Sequence, residues 1–194
     1  MGAMRHYPFQ DFLKFGITTV TVLSAVGLAG CTGSPERTVT EDYPIFDQQA
    51  TDQDVPSIAH SQDLAADMEL PAKDVRWVGQ HDGTDFYATL GESQTSDDDH
   101  VLCFIIAAHE FEVAGASCSS DPYDPSDPVR QARVGSTAGA VQAFLIPANA
   151  KLEQADGWYR ASEHVVVLTD PSAQSELTGR LPDHTEITLQ RITG

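Results

Sequence analysis

The sixteen residues Val75-Arg-Trp-Val-Gly-Gln-His-Asp-Gly-Thr-Asp-Phe-Tyr-Ala-Thr-Leu90 carry the clearest indication of the fold. Two apolar-rich runs flank Asp82-Gly83, a pair typical of two-residue hairpin turns, because both central positions need positive φ. Side chains alternate along a strand, so six residues share the predicted core face of this hairpin. These are Gly79 opposite Phe86, Trp77 opposite Ala88, and Val75 opposite Leu90.

Trp77 has two interpretations, a core side chain or a platform for a ligand. The small Ala88 opposite it favours the core, because a large ring fills the space that a small partner leaves. We therefore predict Trp77 as a core residue.

Further apolar runs predict more strands. His100 to Ala108 is almost continuously apolar, which is typical of a central strand buried on both faces. Shorter runs predict four later strands, at 129–134, 140–146, 164–169 and 187–192. Two short helices are also predicted: Ser61 to Glu69, with Ser61 as the N-cap, and Asp170 to Gly179, with Pro171 in the first turn. The expected fold is mainly β with some helix (α+β), a small antiparallel sheet or sandwich of about seven strands.

The N-terminal stretch has the pattern of a secretory signal peptide. Arg5 and Lys14 precede an uncharged apolar run from Phe15 to Gly30. That run has sixteen residues, fewer than the ~20 that a helix needs to cross a bilayer. An uncleaved membrane anchor is the alternative.

Leu28-Ala29-Gly30-Cys31 ends this run and resembles the lipobox of bacterial lipoproteins. The resemblance implies cleavage between Gly30 and Cys31, lipidation of the Cys31 sulfur with acyl chains such as palmitate, and a location on the outer face of the cell membrane. Two acyl chains suffice for stable anchoring, at about 0.8 kcal/mol per buried methylene.

The expected organisation is a lipoprotein signal peptide over 1–30, a flexible acidic tether over 31–56 and one extracytoplasmic β-rich domain over 57–194. The tether is rich in acidic and hydroxyl residues and poor in apolar ones. Tyr43, Ile45 and Phe46 are the exceptions, and they could dock on the domain. Loss of residues 1–30, which hold Arg5, Lys14 and Asp11, would change the formal charge from −18 to −19. Nucleic acid is a poor partner for so acidic a surface.

Cys103 and Cys118 remain once the lipobox resemblance assigns Cys31 to lipid. In an exported protein such a pair is expected to form a structural disulfide, worth roughly 3 kcal/mol for a loop of about fifteen residues. A redox or metal role would call for closer spacing, such as Cys-x-x-Cys. Because Cys103 lies in the predicted central strand, Cys118 should lie on an adjacent strand or loop.

Phe46-Asp-Gln-Gln-Ala-Thr-Asp-Gln-Asp-Val-Pro56, followed by Arg76, Asp82-Gly83, Tyr87 and the two cysteines, resembles small secreted or lipid-anchored proteins of actinobacteria. The resemblance covers most of residues 46–150. It implies export and supplies no catalytic residues.

Two groups of residues could bind metal. Asp121, Asp124 and Asp127 alternate with prolines and could offer oxygen ligands to calcium, but the EF-hand pattern is absent and a rigid solvated loop is the alternative. His100 and His109 could meet near Asp99 and Glu110, although no spacing forces a shared site. We predict no metal and no cofactor.

The sequence contains no recognisable catalytic motif. The favoured function is a non-enzymatic interaction or ligand-binding module at the cell envelope, attached to the membrane through Cys31. The alternatives are a structural envelope lipoprotein without a small ligand and an enzyme with an unrecognised site.

Overall fold

A computed structural model describes residues 37–56, 75–92, 100–136, 139–170 and 172–192. Within these ranges the chain forms eleven strands, one short α-helix and three 3-10 helices. The helices are α1 Val39–Asp42 and the 3-10 helices Pro44–Asp47, Asp52–Asp54 and His109–Phe111. The strands are β1 Val75–His81, β2 Thr84–Glu92, β3 His100–Ala108, β4 Val113–Cys118, β5 Arg130–Ser136, β6 Gly139–Leu145, β7 Lys151–Leu152, β8 Trp158–Arg160, β9 Val165–Leu168, β10 Glu176–Arg180 and β11 Glu186–Gln190.

The predicted mainly β fold is confirmed. The strand count exceeds the expected seven because four segments that were not predicted as strands, β4, β7, β8 and β10, also pair with neighbours. The helix predicted over Ser61–Glu69 lies outside the described residues.

Three antiparallel sheets contain these strands. Sheet A has the order β1-β2-β3-β4, sheet B the order β5-β6-β9-β8, and sheet C the order β11-β10-β7. Sheet B lies between the other two, because consecutive side chains on a strand point to opposite faces. On β6, Ala143 and Leu145 pack in a core shared with sheet A, whereas Phe144 packs in a core shared with sheet C.

We call these two apolar layers the A/B core and the B/C core. The A/B core contains Phe86, Phe104 and Ile106 of sheet A against Val134, Leu145 and Val167 of sheet B. The B/C core contains Phe144 and Val166 of sheet B against Leu177, Ile187 and Leu189 of sheet C. Each such side chain stabilises the fold by about 1.5–3 kcal/mol when it is fully buried.

Strand β3 runs through the middle of sheet A, between β2 and β4. Every residue from Leu102 to Ala108 is buried. Phe104 points into the A/B core, and Ile105 packs on the opposite face with Tyr87. The prediction of a central strand that is buried on both faces is confirmed.

The hairpin predicted over 75–90 is confirmed as β1 and β2, with Asp82 and Gly83 in the turn at φ 44° and 71°. Gly79 faces Phe86 as predicted. Before Gly79, however, the register shifts by one residue, and Trp77 pairs with Tyr87 instead of Ala88.

A bulge at Val78 causes this shift, since one extra residue in a strand moves all preceding side chains to the other face. Gly79 permits the bulge because its φ is 153°, a region that side chains disfavour. The placement of Trp77 and Val75 in the main core is therefore wrong. Val78 occupies the A/B core, and Trp77 packs on the outer face of sheet A beside Val75 and Tyr87.

Residues 37–56 belong to the same compact unit as the strands, so the predicted tether over 31–56 is wrong for this part. A capping box between Thr38 and Glu41 starts α1. Tyr43 is completely buried, and its hydroxyl donates to the Pro128 carbonyl oxygen at 2.6 Å. The expected docking of Tyr43, Ile45 and Phe46 is confirmed, because all three pack in the A/B core.

The helix predicted over Asp170–Gly179 is wrong. Asp170 closes a turn, with its Oδ1 accepting from the backbone N–H of Ser172 at 2.7 Å, and the chain then extends into β10. Buried and exposed residues alternate along β10 as they do along β11, and this period of two suits a pair of strands. Burial of Leu177 against sheet B therefore decides the structure over the local helix signals.

Candidate binding groove

The structure joins Cys103 and Cys118 by a disulfide with an S–S distance of 2.09 Å. The two residues are direct partners on β3 and β4, so the prediction that they lie on adjacent strands is confirmed. Gly30 and Cys31 lie outside the described residues, and the lipidation site stays a prediction.

His100 and His109 do not meet. They lie at opposite ends of β3, about 30 Å apart at the usual rise per strand residue, so the alternative of a shared metal site for these two histidines is wrong. His109 instead pairs through Nε2 with Asp85 Oδ2 at 2.7 Å, and Trp77 Nε1 donates to Asp85 Oδ1 at 3.3 Å. Asp85 thus ties together the start of β2, the bulged part of β1 and the end of β3.

The three aspartates of the proline-rich loop form separate local contacts. Asp121 accepts from the Ser120 hydroxyl, and Asp124 accepts from the Ser126 hydroxyl and backbone N–H at 2.7 Å each. The Ser126 donors lower the pKa of the Asp124 carboxyl. Asp127 lies 3.6 Å from the Arg130 guanidinium. Among the residues that the structure describes, no group of three or more potential ligands is placed to hold a metal ion.

A groove of about 530 Å³ lies beside this loop and is the candidate binding site. Segment 117–127, which we call the acidic wall because Asp121, Asp124 and Asp127 line the groove, forms one side, and Arg130 and Gln131 of β5 continue it. Thr188 and Gln190 of β11 form the other wall, and Phe144 of β6 lies between the two. The groove therefore separates an edge of sheet C from the first strand of sheet B.

Strand β11 is an edge strand. Its backbone N–H and C=O groups point alternately toward its partner β10 and toward this groove. Arg191 N–H donates to the Ser175 carbonyl at 2.8 Å, and Leu181 N–H donates to the Thr185 carbonyl at 2.9 Å. In an antiparallel pair, hydrogen-bonded residues recur every second position. Residues 187 and 189 therefore bond to β10, and the backbone N–H and C=O groups of Thr188 point away from it, toward the groove.

Gln142 occupies one end of this free edge. Its side-chain amide donates to the Gln190 carbonyl at 3.0 Å and accepts from the Ile192 N–H at 3.1 Å. The amide thus makes the two bonds that a neighbouring strand would make. Within the described part of the chain, the outward backbone groups of Thr188 have no such partner.

Strand β5 extends beyond the part of sheet B that sheet C covers. Gln131 pairs with Phe144 and Arg133 pairs with Gln142, so these two β5 side chains share the face that points to sheet C. Both are nevertheless exposed. The opposite face of β5 is buried, with Ala132 and Val134 in the A/B core. The groove is therefore the space that a fourth strand of sheet C would fill.

The segment 37–43, which we call the N-terminal brace, holds the acidic wall in place. Arg37 donates to the Pro125 carbonyl at 2.5 Å and lies 3.2 Å from the Asp183 carboxylate. The Tyr123 hydroxyl bonds to the Asp42 carboxylate. Burial raises the pKa of Asp42, although its bond with Tyr123 and the Arg37 charge oppose this effect. These contacts fasten the loop at Tyr123 and Pro125 to the N-terminal brace.

Comparison with known proteins finds no matching family model, no similar curated protein and no similar solved structure. Within the described ranges, no helix is both long and apolar enough to span a bilayer. The fold and the groove themselves are therefore the basis for a functional proposal.

The sequence signals for this groove were incomplete. The proline-rich aspartate loop stood out, but only as a possible calcium site. The alternation over Glu186–Gln190 predicts a strand and cannot show which of its edges is free. Nothing in the sequence marks Gln142 as a site residue. Its burial within an apolar run is explained only by the edge of β11 that its side-chain amide reaches.

Proposed function

We propose that this protein is a lipid-anchored extracytoplasmic lipoprotein that binds a partner at the cell envelope without catalysing a reaction. The groove beside β11 is the observation that carries the binding role. It combines the outward backbone N–H and C=O groups of Thr188 with the exposed carboxylates of Asp121, Asp124 and Asp127.

The lipobox resemblance at Leu28–Cys31 supports the anchoring. If Cys31 carries lipid, Arg37 follows only six residues later. Six residues span at most about 20 Å when fully extended. Because Arg37 contacts Pro125 of the acidic wall, the groove would then operate close to the membrane surface, and not at the end of a long tether.

Cys31→Ala tests the anchoring. We expect the variant to lose incorporation of a labelled fatty acid and to accumulate as a precursor or leave the membrane fraction. Cys103→Ala serves as the matched control, since it removes a cysteine but leaves the lipobox intact. A Cys31→Ala protein of mature size that stays in the membrane would contradict the lipoprotein assignment.

A photoreactive amino acid at Gln131, which is exposed and lines the groove, tests the binding role. The control position is Glu163, which is exposed in the turn between β8 and β9. After irradiation of intact cells, we expect adducts of defined mass from position 131 and none of these masses from position 163. The same adducts from both positions, or none from position 131, would overturn the groove as a binding site.

A further inference from the structure

We infer that the partner of the groove is an extended polypeptide segment with basic side chains, which adds to sheet C as a fourth strand along β11. This inference rests on the proposed binding function and names the class of partner. The backbone of β11, the uncovered face of β5 and the charge of the groove wall each support it.

The backbone of β11 supplies the hydrogen bonds. The N–H and C=O of Thr188 point into the groove, in the same direction as the Gln190 and Ile192 groups that Gln142 satisfies. Unpaired edge groups are a template for another strand, and proteins usually cover or blunt them. Here Gln142 covers one end, and Thr188 stays open beside a groove. An extended peptide would continue the bonding pattern that Gln142 begins.

The geometry provides room for one strand. Neighbouring strands lie about 4.7–4.9 Å apart, so a strand next to β11 would lie over the exposed face of β5. One face of that added strand would cover the exposed side chain of Gln131 of β5. Its other face would point to solvent, as do the exposed residues of β11. Sheet C would then have four strands, as sheets A and B do.

The charge of the lining favours basic side chains on the partner. Three aspartates and one arginine line the groove. The arginine, Arg130, has a side chain that is only 10% exposed, and its Nη1 donates to the Val129 carbonyl at 2.6 Å. Lysine and arginine side chains of a partner suit Asp121 and Asp124, which are both exposed.

The first test uses the wild-type protein, purified in detergent micelles as the cell produces it, and three labelled peptides. The probe is an eight-residue peptide of alternating lysine and valine, and binding is measured by fluorescence anisotropy. One control carries N-methyl groups on alternate amides, which removes hydrogen bonding along one edge. The other control replaces lysine with glutamate. We expect the lysine peptide to bind at least about tenfold more tightly than either control.

The second test changes the protein. Thr188→Pro removes one outward N–H and should preserve the β10 pairing, because proline is tolerated on strand edges. Thr188→Val is the matched control, since it changes the side chain and keeps the N–H. We expect Thr188→Pro to weaken lysine-peptide binding by about tenfold and Thr188→Val to leave it within about twofold. Urea unfolding of both variants checks that the fold is retained.

Equal binding of the methylated and unmethylated peptides would overturn strand addition. Equal binding of the lysine and glutamate peptides would overturn the basic partner. If no peptide binds while position 131 still gives specific adducts on cells, a different ligand occupies the groove, and this inference fails while the proposed function stands. If the position-131 adducts are also missing, the proposed function fails as well.

Discussion

The two faces of sheet B differ in how they are closed at strand β5. Toward sheet A, β5 approaches β4 so closely that a Cβ on Gly115 would lie 2.3 Å from Cγ1 of Val134. Toward sheet C, Gln131 and Arg133 of the same strand are exposed. One strand thus belongs to a sealed core on one side and to an open groove on the other.

We propose that this difference separates the residues that stabilise the fold from those that bind a partner. The A/B core contains twice as many of the largest fully buried side chains as the B/C core, among them Tyr43 of the N-terminal brace, and the disulfide ties together β3 and β4 of sheet A. The B/C core is smaller, and sheet C has three strands where sheets A and B each have four. We therefore expect substitutions at the sealed side to change mainly the free energy of unfolding, and substitutions at the open side to change mainly binding.

The largest effect is expected from a matched pair of phenylalanines. Phe104→Ala leaves a cavity in the sealed A/B core and should lower the free energy of unfolding by about 3–5 kcal/mol. Phe144→Ala should cost less, because the adjoining groove lets water or neighbouring side chains fill the space. Urea unfolding of both variants measures the difference. An equal or larger loss for Phe144→Ala would show that the two sides are packed alike.

A smaller effect is expected where β4 meets β5. Gly115→Ala places a methyl group against Val134 and should destabilise the fold by about 1–3 kcal/mol. Adding Val134→Ala should recover part of this loss relative to the sum of the single substitutions, since it makes room for the methyl group. Gln131→Ala is the control on the open face of the same strand, with an expected change below about 0.5 kcal/mol. If the losses of stability from Gly115→Ala and Val134→Ala simply add in the double variant, the close approach of β4 to β5 at these residues is contradicted.

The smallest effect concerns pH and His164, a buried side chain that contacts the Tyr43 ring of the brace. Burial lowers the pKa of His164 below its ordinary value of 6.5, despite the bond to Ile146 and the nearby Glu163 carboxylate. The neutral ring thus stabilises the fold fully above pH 6.5. As the pH falls below 6.5, the unfolded chain gains a proton that the folded chain resists.

The free energy of unfolding should therefore fall by at most about 1.4 kcal/mol per pH unit below 6.5 through this group. His164→Gln should remove that contribution, as measured by urea unfolding at about pH 7.5 and 5.5. His100→Gln, at the exposed start of β3, should leave the pH dependence in place. If stability depends on pH identically in the wild type and His164→Gln, the attribution of this pH dependence to His164 is contradicted.

The elements that the sequence predicted correctly are those that local patterns control. A two-residue hairpin turn needs positive φ, which Asp82-Gly83 tolerates, and a run as apolar as Leu102–Ala108 favours burial on both sides. The errors arose where contacts from distant parts of the chain intervened. The bulge at Val78 moved Trp77 to the outer face, and the pairing with β11 made Glu176–Arg180 a strand.

Residues 37–56 show the same limit in a polar segment. Their composition resembles a tether, and only Tyr43, Ile45 and Phe46 indicated otherwise. The decisive contacts, from Tyr43 to Pro128 and from Arg37 to Pro125, join residues more than eighty positions apart. A polar segment can be ordered in this way when a few buried groups find partners, which composition alone does not reveal.

The sequence by itself determined the hairpin turn, the central strand and the mainly β class, because each depends on side-chain period or backbone preference. The resemblance of Leu28–Cys31 to a lipobox led to the expected pairing of Cys103 with Cys118, and the proposed anchoring rests on the same resemblance. Only the tertiary structure decided that sheet B lies between two sheets and that β11 has a free edge beside a groove. The reason is physical: a strand's sequence specifies which faces are apolar, whereas its edges are backbone, the same in every strand until neighbours cover them.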